Sequence, residues 1–563
     1  MAKKSQNHGL TALALGGLDE IGLNLMVYEC DGDMILVDVG LTFPDEYSPG
    51  TDIVVPDISY IRNNVDRLKG IFLTHAHEDH LGALPYLWEE LGKAPVFATE
   101  FTSKVLGGKM SQFDQYAPEY KVNITKEGER YTAGEFEVEY VSITHSIPGA
   151  AALVIRTKYG TIINTGDYKL DPNPVLGAPS NMARLAEVGK EGVLALFGDS
   201  TDIFGEGTKP TETDLAEHLD GVIAGQEKAI FLSPFASNFE RILSVSEIAV
   251  RHGRKVAYCG RSILNMVQYA KECGMFPDYL LDHVIDMKEI AHTKREKLVI
   301  FVTGSQAQPN AMLNRLSGGD NFRGVQIKDG DTVILSSRHI PGNERAIQNM
   351  MNRLSKIGAK VLSGHNEFVH VGGHAMKGEV LEMYRTIKPQ YAVPSYGTYH
   401  HLKEHEAFVN DNKLAQCLLV TNGDKLHLAP EEPSIVERIE TGRNYVDGLN
   451  ILDDDKYILR ERRQMSFEGL ATVTLGIDFR NKSITFGPVL QTRGIVDDKL
   501  QPEVISSVVS EVERSLSRKF KNGRIDDPLE AEEVMRQAVR RAFGRERGRK
   551  PVTIPLVVEI NDQ

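Results

Sequence analysis

The first 200 residues alternate short apolar segments with turns rich in glycine or polar residues. Each apolar run is about as long as a typical β-strand, roughly four to eight residues. In EFEVEYVSI apolar and polar positions alternate, which predicts strands with one buried face. The segments, in chain order, are TALALGG, LMVYECDGDMILVDVG, GIFLTH, PVFAT, FEVEYVSITH, AALVIRTKYGTIINTGD and GVLALFGDS.

From about residue 206 the pattern changes to helices that alternate with strands. The stretch NFERILSVSEIAVRHG is helical in character and lies among the strands KAIFLSPF, KVAYCG, LVIFVTGS and DTVILSS. This order is typical of a parallel α/β unit. Near residue 356 strand patterns return with AKVLSGH, QYAVPSYG and KLHLAP. We therefore expect an α/β domain inserted into a β-rich domain.

The C-terminal region predicts a further small domain. The charged segment VDGLNILDDDKYILRER is typical of a solvent-exposed connector. After it come the strands ATVTLGIDF and SITFGPVL, two helices at 503–520 and 528–543, and the strand TIPLVVEI. The expected boundaries are 1–205 and 356–446 for the β-rich domain, 206–355 for the insertion, 447–463 for the connector and 464–563 for the C-terminal domain.

Composition and charge narrow the function only slightly. The chain has 563 residues, which predicts two to four domains, and 41% of them are hydrophobic. No apolar run is long enough to span a bilayer, and the N-terminus does not resemble a cleaved signal. The four cysteines lie far apart without a CxxC pair, which fits a reducing cytoplasm. The net charge of −14 is weak evidence against a nucleic-acid partner, because a local cleft or bound cations can be positive.

The segment GIFLTHAHEDHLGALPYL places His75, His77, Asp79 and His80 directly after a predicted strand. Imidazole nitrogens and carboxylate oxygens are the ligands that zinc prefers, and a catalytic site leaves a position for water. The alternative is a polar loop with surface histidines, which gives no reason for histidines at alternating positions beside an aspartate. The segment therefore predicts a metal site.

Three further polar residues follow other predicted strands: Asp38 after MILV, His145 after YVSIT and Asp167 after TIINTG. Ligands from several strand ends along one rim can form a rigid site on a β-scaffold. The residue set suits two metals that share Asp167. One metal would bind His75, His77 and His145, and the other would bind Asp79, His80 and a further ligand.

The motifs in this order resemble the metallo-β-lactamase superfamily, and more narrowly its β-CASP nucleases of the ribonuclease J family. The resemblance extends over essentially the whole chain. The matching segments are GGLDEIGLN, DVGLTFP, LTHAHEDHLGALPYL, THSIPGAA, NTGDYKLDP, GDST, SPFASNFERI, TGSQ, IPGNE and HVGGH.

This resemblance implies an α/β fold: an αββα metallo-β-lactamase sandwich, an inserted β-CASP domain and a small C-terminal α+β domain. It implies a cytoplasmic 5′→3′ exoribonuclease that also cuts endonucleolytically, in RNA maturation and decay. The expected cofactors are two divalent metals, zinc first, with manganese or magnesium as alternatives. RNA is the expected partner, with no membrane association. Assembly as a homodimer or homotetramer through the C-terminal domain, or with a ribonuclease J paralogue, is also implied.

The resemblance assigns roles to individual residues. Asp38 matches an acid that supports the metal-binding loop. Asp199 and His374 match an acid and a histidine beside the scissile phosphate, where a protonated imidazole can donate to the departing 3′ oxygen. With Asp79 they are the expected catalytic residues. The expected metal ligands are His75, His77, Asp79, His80, His145 and Asp167.

Part of the expected phosphate-binding pocket matches Phe235-Ala236-Ser237-Asn238. A small-residue turn before a helix explains Ser237 equally well. The residues expected to bind RNA or its phosphates are Ser237, Asn238, His370, Gly372, Gly373 and His374.

The sequence departs from the family pattern at several positions. Tyr396 stands where the family supplies one more metal-binding histidine, and a phenol of pKa about 10 is a poorer ligand at neutral pH. The second metal could then have fewer protein ligands, Tyr396 could bind as phenolate, or His400 or His401 could replace it. Gly372 stands in place of a phosphate-contacting serine, GSQAQ replaces GSQGE and Gly149 replaces a common aspartate. Together these changes suggest altered substrate handling or reduced catalysis.

Three alternatives stay open at this level. The first is an RNA-binding paralogue subunit with weak or no activity. The second is a small-ester, thioester or β-lactam hydrolase, which the large inserted domain disfavours. The third concerns only the basic segment RRAFGRERGRK at 540–550, which either contacts RNA or is a solvated helix end.

Overall fold

The computed structural model of the protein describes residues 8–45, 48–113, 120–340, 342–452, 455–496 and 501–560. The chain forms two compact units. The first contains Met1–Thr42 and Val55–Arg443, and the second contains Phe43–Val54 and Asn444–Gln563.

The strands, numbered in chain order, are β1 (Leu10–Gly16), β2 (Leu18–Asp19), β3 (Leu25–Cys30), β4 (Asp33–Val37), β5 (Ile53–Pro56), β6 (Leu68–Phe72), β7 (Val96–Ala98), β8 (Val122–Ile124), β9 (Arg130–Ala133), β10 (Phe136–Ser142), β11 (Ala151–Thr157), β12 (Gly160–Asn164), β13 (Ala195–Asp199), β14 (Ile230–Pro234), β15 (Lys255–Cys259), β16 (Leu298–Val302), β17 (Thr332–Ser336), β18 (Lys360–Ser363), β19 (Tyr391–Ser395), β20 (Gly397–Thr398), β21 (Gln416–Cys417), β22 (Asp424–Ala429), β23 (Ser434–Arg438), β24 (Arg443–Asp447), β25 (Asn450–Ile451), β26 (Leu470–Asp478), β27 (Ser483–Arg493) and β28 (Val552–Glu559). The α-helices are α1 (Ser59–Arg62), α2 (Glu78–Leu81), α3 (Leu84–Leu87), α4 (Glu100–Met110), α5 (Met182–Glu191), α6 (Glu212–Ala224), α7 (Phe239–Arg251), α8 (Arg261–Glu272), α9 (Met312–Ser317), α10 (Glu344–Ile357), α11 (Lys377–Ile387), α12 (Tyr399–Asp411), α13 (Asp455–Glu468), α14 (Gln501–Lys521) and α15 (Pro528–Arg547).

The first unit is built around two mixed sheets that share a hydrophobic core. One sheet has the order β23-β22-β1-β3-β4-β6-β7-β8, and the other has the order β21-β19-β13-β12-β11-β10-β9. Tyr28 of the first sheet and Phe197 of the second meet in this core with ring centroids 5.3 Å apart. Alternate residues of a strand point to opposite faces, so Ile162 enters this core while Ile163 packs in the outer layer with α5, α11 and α12. The central strands are therefore apolar on both faces.

A five-stranded parallel sheet of the order β15-β16-β14-β17-β18 is inserted between β13 and β19. Helices α6 to α10 alternate with its strands, as the sequence pattern predicts. A separate core of apolar residues lies within this domain. Strand β18 pairs with β17, so the inserted sheet extends beyond the predicted boundary at residue 355. The exact domain boundaries stay predictions.

Strand pairing brings the candidate site residues to one edge of the sandwich. Strands β4 and β6 run parallel, with Val37 opposite Phe72. Strands β12 and β13 also run parallel, with Asn164 opposite Phe197. The segments that leave these four strand ends carry the polar residues that the sequence singles out. A rigid sheet edge is therefore the scaffold of the candidate site.

The second unit contains a three-stranded sheet of the order β27-β26-β28, packed on α14 and α15. The two helices predicted at 503–520 and 528–543 are confirmed with slightly wider bounds. Strand β26 is antiparallel to β27 and parallel to β28. A smaller sheet has the order β25-β24-β5. Helix α13 occupies much of the stretch that the sequence predicts as a connector.

Within the part of the chain that the structure describes, no helix combines the length and the apolar character needed to cross a bilayer.

Candidate active site

Asp38 organises the histidine-rich loop from beneath. It follows β4 in a left-handed conformation with φ of 62°, and its side chain is fully buried. Its Oδ1 accepts from the Thr74 amide at 2.8 Å, and its Oδ2 accepts from the Thr74 hydroxyl at 2.8 Å. The same Oδ2 lies 2.7 Å from His80 Nδ1. A carboxylate oxygen accepts, so His80 Nδ1 donates to Asp38, and its Nε2 faces away from Asp38, 2.8 Å from Asn24 Nδ2.

Three histidines converge beside this loop. His77 Nδ1 lies 3.0 Å from His75 Nε2 and 3.0 Å from His145 Nε2. His145 Nδ1 donates to the Gly373 carbonyl at 2.7 Å, which leaves its Nε2 as a lone pair. Burial lowers the pKa of His75 and His145 well below the ordinary value and lowers that of His77 to about 4. Three neutral imidazoles thus direct nitrogens to one point, as metal ligands do.

Asp167 lies between two groups of ligand atoms. Its Oδ2 is 3.1 Å from His80 Nε2 and 3.7 Å from His75 Nε2. Its Oδ1 is buried and has no hydrogen-bond partner among the described residues. The ligand atoms of each group lie within 4.8 Å of one another. The two groups are His75, His77, His145 and Asp167, and Asp79, His80 and Asp167.

These groups fit two divalent cations. The donors are imidazole nitrogens and carboxylate oxygens, which suit zinc and other borderline metals. A cation beside Asp167 would also satisfy its unpartnered Oδ1, a buried polar atom that is otherwise costly. The structure brings together the residues that the sequence singles out as candidate ligands, and Asp167 belongs to both groups. The described residues in these groups supply no further ligand for the second site.

A third group joins Asp167 to Asp199 and His374. His374 Nδ1 donates to Asp199 Oδ2 at 2.8 Å and lies 3.9 Å from Asp167 Oδ2. The Thr201 amide fixes Asp199 by donating to its Oδ1 at 2.9 Å. Burial lowers the pKa of His374, but the Asp199 and Asp167 carboxylates outweigh it and raise the pKa to about 9. The two carboxylates therefore favour the protonated imidazole, and the His374 side chain is partly exposed.

Tyr396 lies beside His80, but its hydroxyl is bound to a residue outside the ligand groups. Its hydroxyl donates to Asn164 Oδ1 at 2.8 Å, and its ring centroid is 5.5 Å from that of His80. Burial raises the pKa of Tyr396 well above 10, so the phenol keeps its proton. Asn164 Oδ1 also accepts from the Gly166 amide at 2.9 Å, next to Asp167. The tyrosine thus braces the turn that carries Asp167.

His400 and His401 lie in the first turn of helix α12 and contact Phe204, with ring centroids 4.6 and 5.2 Å away. Neither belongs to the ligand groups found among the described residues. They give no support to the alternative in which one of them replaces the missing histidine.

The HVGGH segment has two glycines in different surroundings. A Cβ at Gly373 would lie 2.6 Å from His145 Cε1, so only glycine lets its carbonyl reach that ring. A Cβ at Gly372 would meet Lys209 Nζ at 3.0 Å. Lys209 and Arg338 are both ion-paired with Asp202. A cation thus fills the space beside Gly372.

The other expected phosphate ligands lie apart from the metal groups. Asn238 caps helix α7, because its Oδ1 accepts from the Arg241 amide at 3.0 Å. Ser237 is half-buried in the turn before that helix. His370 Nδ1 is buried without a hydrogen-bond partner among the described residues, and burial followed by Arg241 lowers its pKa to about 3. Asn238 therefore serves as a helix cap, and Ser237 lies in the turn before the helix, so the turn alternative for Ser237 stays open beside phosphate binding.

Several residues of the site carry no signal that sequence reasoning could use. Asn164 and Thr74 are ordinary strand-end residues until the fold places them against Tyr396 and Asp38. Asn24 lies far upstream, yet its amide nitrogen Nδ2 donates to Asp79 Oδ2 at 3.4 Å. Lys209 becomes notable only because Gly372 leaves room for it.

Three family profiles match successive parts of the chain. Residues 23–200 match the metallo-beta-lactamase superfamily. Residues 227–354 match the profile described as ribonuclease J, beta-CASP domain. Residues 457–560 match the ribonuclease J C-terminal domain.

Curated relatives align with nearly the whole chain. Ribonuclease J of Sinorhizobium meliloti is 36% identical over 560 residues, 99% of this chain and 98% of the relative. Ribonuclease J of Mycolicibacterium smegmatis is 34% identical over 558 residues, 98% of each chain. Ribonuclease J of Helicobacter pylori is 33% identical over 545 residues, 96% of this chain and 78% of the relative. A solved protein of unknown function from Enterococcus faecalis covers 75% of this chain with a TM-score of 0.53 at 18% identity, a similarity of fold.

Proposed function

The chain belongs to the ribonuclease J family, and we propose that it degrades RNA as a 5′→3′ exoribonuclease that prefers 5′-monophosphate ends and also cuts endonucleolytically. Family membership makes it a metal-dependent ribonuclease with the metallo-β-lactamase and β-CASP architecture. The observation that carries the proposal is the pair of ligand groups sharing Asp167, with the Asp199–His374 pair beside them. The proposed cellular role is RNA maturation and decay in the cytoplasm.

The ligand groups would hold two divalent cations, of which zinc suits the histidine-rich set best and manganese or magnesium are alternatives. When bound, the cations supply an activated water and neutralise charge on the phosphate. His75, His77 and His145 would hold one cation, Asp79 and His80 the other, and Asp167 both. Asp38 orients His80 through its Nδ1, so that Nε2 faces the Asp167 carboxylate and the Asn24 amide group.

His374 is the proposed proton donor. Asp199 holds its Nδ1 proton, so the second proton, on Nε2, remains available to the departing 3′ oxygen. The Asp199 carboxylate raises the pKa of His374 and so favours this proton at neutral pH. The neighbouring carboxylates thus orient the imidazole and favour its positively charged form. A positive imidazolium also stabilises negative charge on the phosphate.

The RNA strand would pass the cleft that contains His370, Gly372 and Ser237. Neutral His370 can accept or donate one hydrogen bond, and Ser237 offers a hydroxyl. Lys209, in the space beside Gly372, supplies a cation where the family pattern has a serine. The altered chemistry at this position supports changed substrate handling rather than loss of phosphate binding.

Assembly as a homodimer or homotetramer through the second unit is also proposed. Strand β28 exposes Ile554, Leu556 and Val558 on the sheet face opposite α14 and α15, and β27 exposes Phe486 and Val489 on that face. Contiguous apolar faces of this kind mark protein–protein contacts. A second copy of this chain, or a paralogue, would cover it.

The test is a turnover assay on 3′-labelled RNA that carries either a 5′-monophosphate or a 5′-triphosphate, with zinc, manganese or magnesium added. We expect progressive shortening of the monophosphate RNA and slower shortening of the triphosphate RNA. His374→Gln is the matched inactive control, because it keeps a donor but loses the charge. If the RNA is cut internally but not shortened from its 5′ end, the protein is an endonuclease and the exonuclease proposal is wrong.

A second candidate function is an RNA-binding subunit with little activity. It is favoured by the proton that Tyr396 retains, which leaves the second metal group without a further ligand among the described residues. RNA bound tightly but neither shortened nor cut, under every metal, would select this candidate. Hydrolysis of a thioester without RNA cleavage would instead select a small-substrate enzyme.

A further inference from the structure

The second unit contains a basic groove between α14 and α15, remote in sequence from every residue of the metal groups. The cavity has a volume of about 390 Å³. Its charged lining consists of five cations and one carboxylate, namely Arg514, Arg518, Lys519, Arg524, Arg541 and Glu511. This excess of positive charge contrasts with the net charge of −14 of the whole chain.

The carboxylate is shared among several guanidinium groups. Glu511 lies 3.4 Å from Arg514, 4.0 Å from Arg541 and 4.0 Å from Arg545. Arg514 and Arg541 are each more than half exposed, whereas Glu511 is largely covered. One carboxylate cannot neutralise this many cations, so like charges remain close together. Such an arrangement is stabilised by an anionic ligand.

The remaining cations of the groove are not neutralised by acidic side chains of the described residues. Arg518, Lys519 and Arg524 make no ion pair within the described ranges of the chain. A second cavity of about 520 Å³ adjoins the first and shares Arg514 and Arg518 with it. Lys521 extends the basic lining there. The basic surface is therefore longer than one phosphate group requires.

We propose that this groove binds the phosphate backbone of an RNA strand. The proposal rests on the ribonuclease function proposed above, which makes RNA the polyanion that this protein meets. Among the described residues no aromatic side chain lines either cavity, so base stacking gives no contribution and binding depends on charge. Binding without stacking or base contacts is insensitive to sequence and strongly dependent on salt.

The test compares two triple variants of the full chain in EDTA, where no turnover occurs. The groove variant is Arg518→Gln, Lys519→Gln and Arg524→Gln. The control variant is Arg480→Gln, Lys482→Gln and Arg536→Gln, which removes the same charge from exposed positions of the same unit outside both cavities. The probe is a fluorescent single-stranded RNA of about 20 nucleotides, titrated at several KCl concentrations.

We expect the groove variant to bind RNA roughly tenfold or more weakly at low salt. The slope of log Kd against log salt should fall by about two, since each lost phosphate contact on a single strand contributes about 0.7. The control variant should stay within about twofold of the parent. Equal weakening in both variants, or none in either, overturns the proposal.

Two further readouts distinguish an RNA-backbone groove from a small-anion site and from damage to the metal groups. Inorganic phosphate at low millimolar concentration, with ionic strength held constant, should not displace the RNA; full displacement would show a small-anion site and overturn the proposal. Cleavage of a trinucleotide should be unchanged in the groove variant, because no metal-group residue is altered. If the parent binds RNA through the groove yet never cleaves it, the proposed nuclease function fails while the groove stands.

Discussion

At the scale of single residues, Tyr396 occupies the position where the family pattern has a further metal-binding histidine. Its phenol is protonated and donates to Asn164, so it braces the Asp167 turn rather than serving as a ligand. We expect Tyr396→Phe to bind as much metal as the parent. Tyr396→His should bind the second metal more tightly, because it adds an imidazole beside His80. Metal content after dialysis, measured by plasma mass spectrometry, checks both; loss of one metal in Tyr396→Phe would make Tyr396 a ligand.

Gly373 is a second residue of the site that a steric constraint restricts to glycine. Gly373→Ala would place a Cβ 2.6 Å from His145 Cε1, so the ring or the carbonyl that holds it must move. Supporting residues of metal ligands commonly contribute 10- to 100-fold in affinity, and a loss of about that size is expected here. Gly372→Ala is the matched control, since its nearest neighbour is the flexible end of Lys209. Equal metal affinity in the two variants would contradict this account.

The histidines that form the candidate ligand groups could be predicted from the sequence, because a strand pattern that ends in histidine or aspartate is a local signal. Asp38, which orients His80, was expected from the sequence, but other orienting partners come from distant segments and were not predicted. Asn164 meets Tyr396 across 232 positions of the chain, and Gly373 meets His145 across 228. Neither contact has a local pattern, because both depend on how the two sheets pack. The departure at Tyr396 was visible in the sequence, but its partner was not.

At the scale of elements, helix α7 carries a buried carboxyl that makes stability depend on pH. Glu240 is 5% exposed, and its Oε2 has no hydrogen-bond partner among the described residues. Burial, together with the Glu212 and Asp171 carboxylates, raises its pKa from 4.5 to about 8 although Lys169 and Arg241 oppose this. The unfolded chain therefore releases this proton at lower pH than the folded chain does.

A raised carboxyl pKa fixes the sign of the effect. Below about pH 4.5 the Glu240 carboxyl is protonated in both the folded and the unfolded chain, so it does not change the free energy of unfolding. As the pH rises towards 8, only the unfolded chain loses this proton, which lowers the free energy of unfolding by at most about 5 kcal/mol. Glu240→Gln keeps the neutral shape, so its melting temperature should exceed that of the parent increasingly between pH 5 and pH 8. Glu247→Gln on the same helix is the control. Parallel melting curves for parent and Glu240→Gln across this range would contradict the shift.

Element boundaries show what periodicity can and cannot predict. Helices α14 and α15 were predicted within a few residues, since each has an apolar face over the sheet. Helix α13 was predicted as a connector because charge dominates its sequence, yet Tyr457 and Glu461, one turn apart, hydrogen bond at 2.9 Å. Strand β18 was assigned to the first domain because a strand pattern alone does not reveal its pairing partner. Tertiary pairing, not local sequence, decides such cases.

At the scale of the whole molecule, the net charge of the chain does not describe the charge of its individual surfaces. The chain carries −14 overall, yet its second unit presents a basic groove and a sheet face with exposed apolar residues. Composition therefore could not predict where a polyanion or a second copy would bind. The groove lies between α14 and α15, while the apolar residues lie on the opposite face of the sheet that these helices cover. The two surfaces can be altered independently.

The apolar face gives the prediction at this scale. Leu556 and Ile554 are each 52% exposed on β28, so charging Leu556 should change the free energy of folding by only about 0.5 kcal/mol. If this face joins two copies, Leu556→Lys should shift the protein to monomers in light scattering, because a buried unpaired ammonium strongly disfavours association. Leu529→Lys, at a 76% exposed position of the same unit on α15, is the control and should leave the mass unchanged. An unchanged oligomer in Leu556→Lys would place the contact between copies elsewhere. Monomers that still bind RNA would show that the sheet face joins the copies, whereas the groove on the other side binds the substrate.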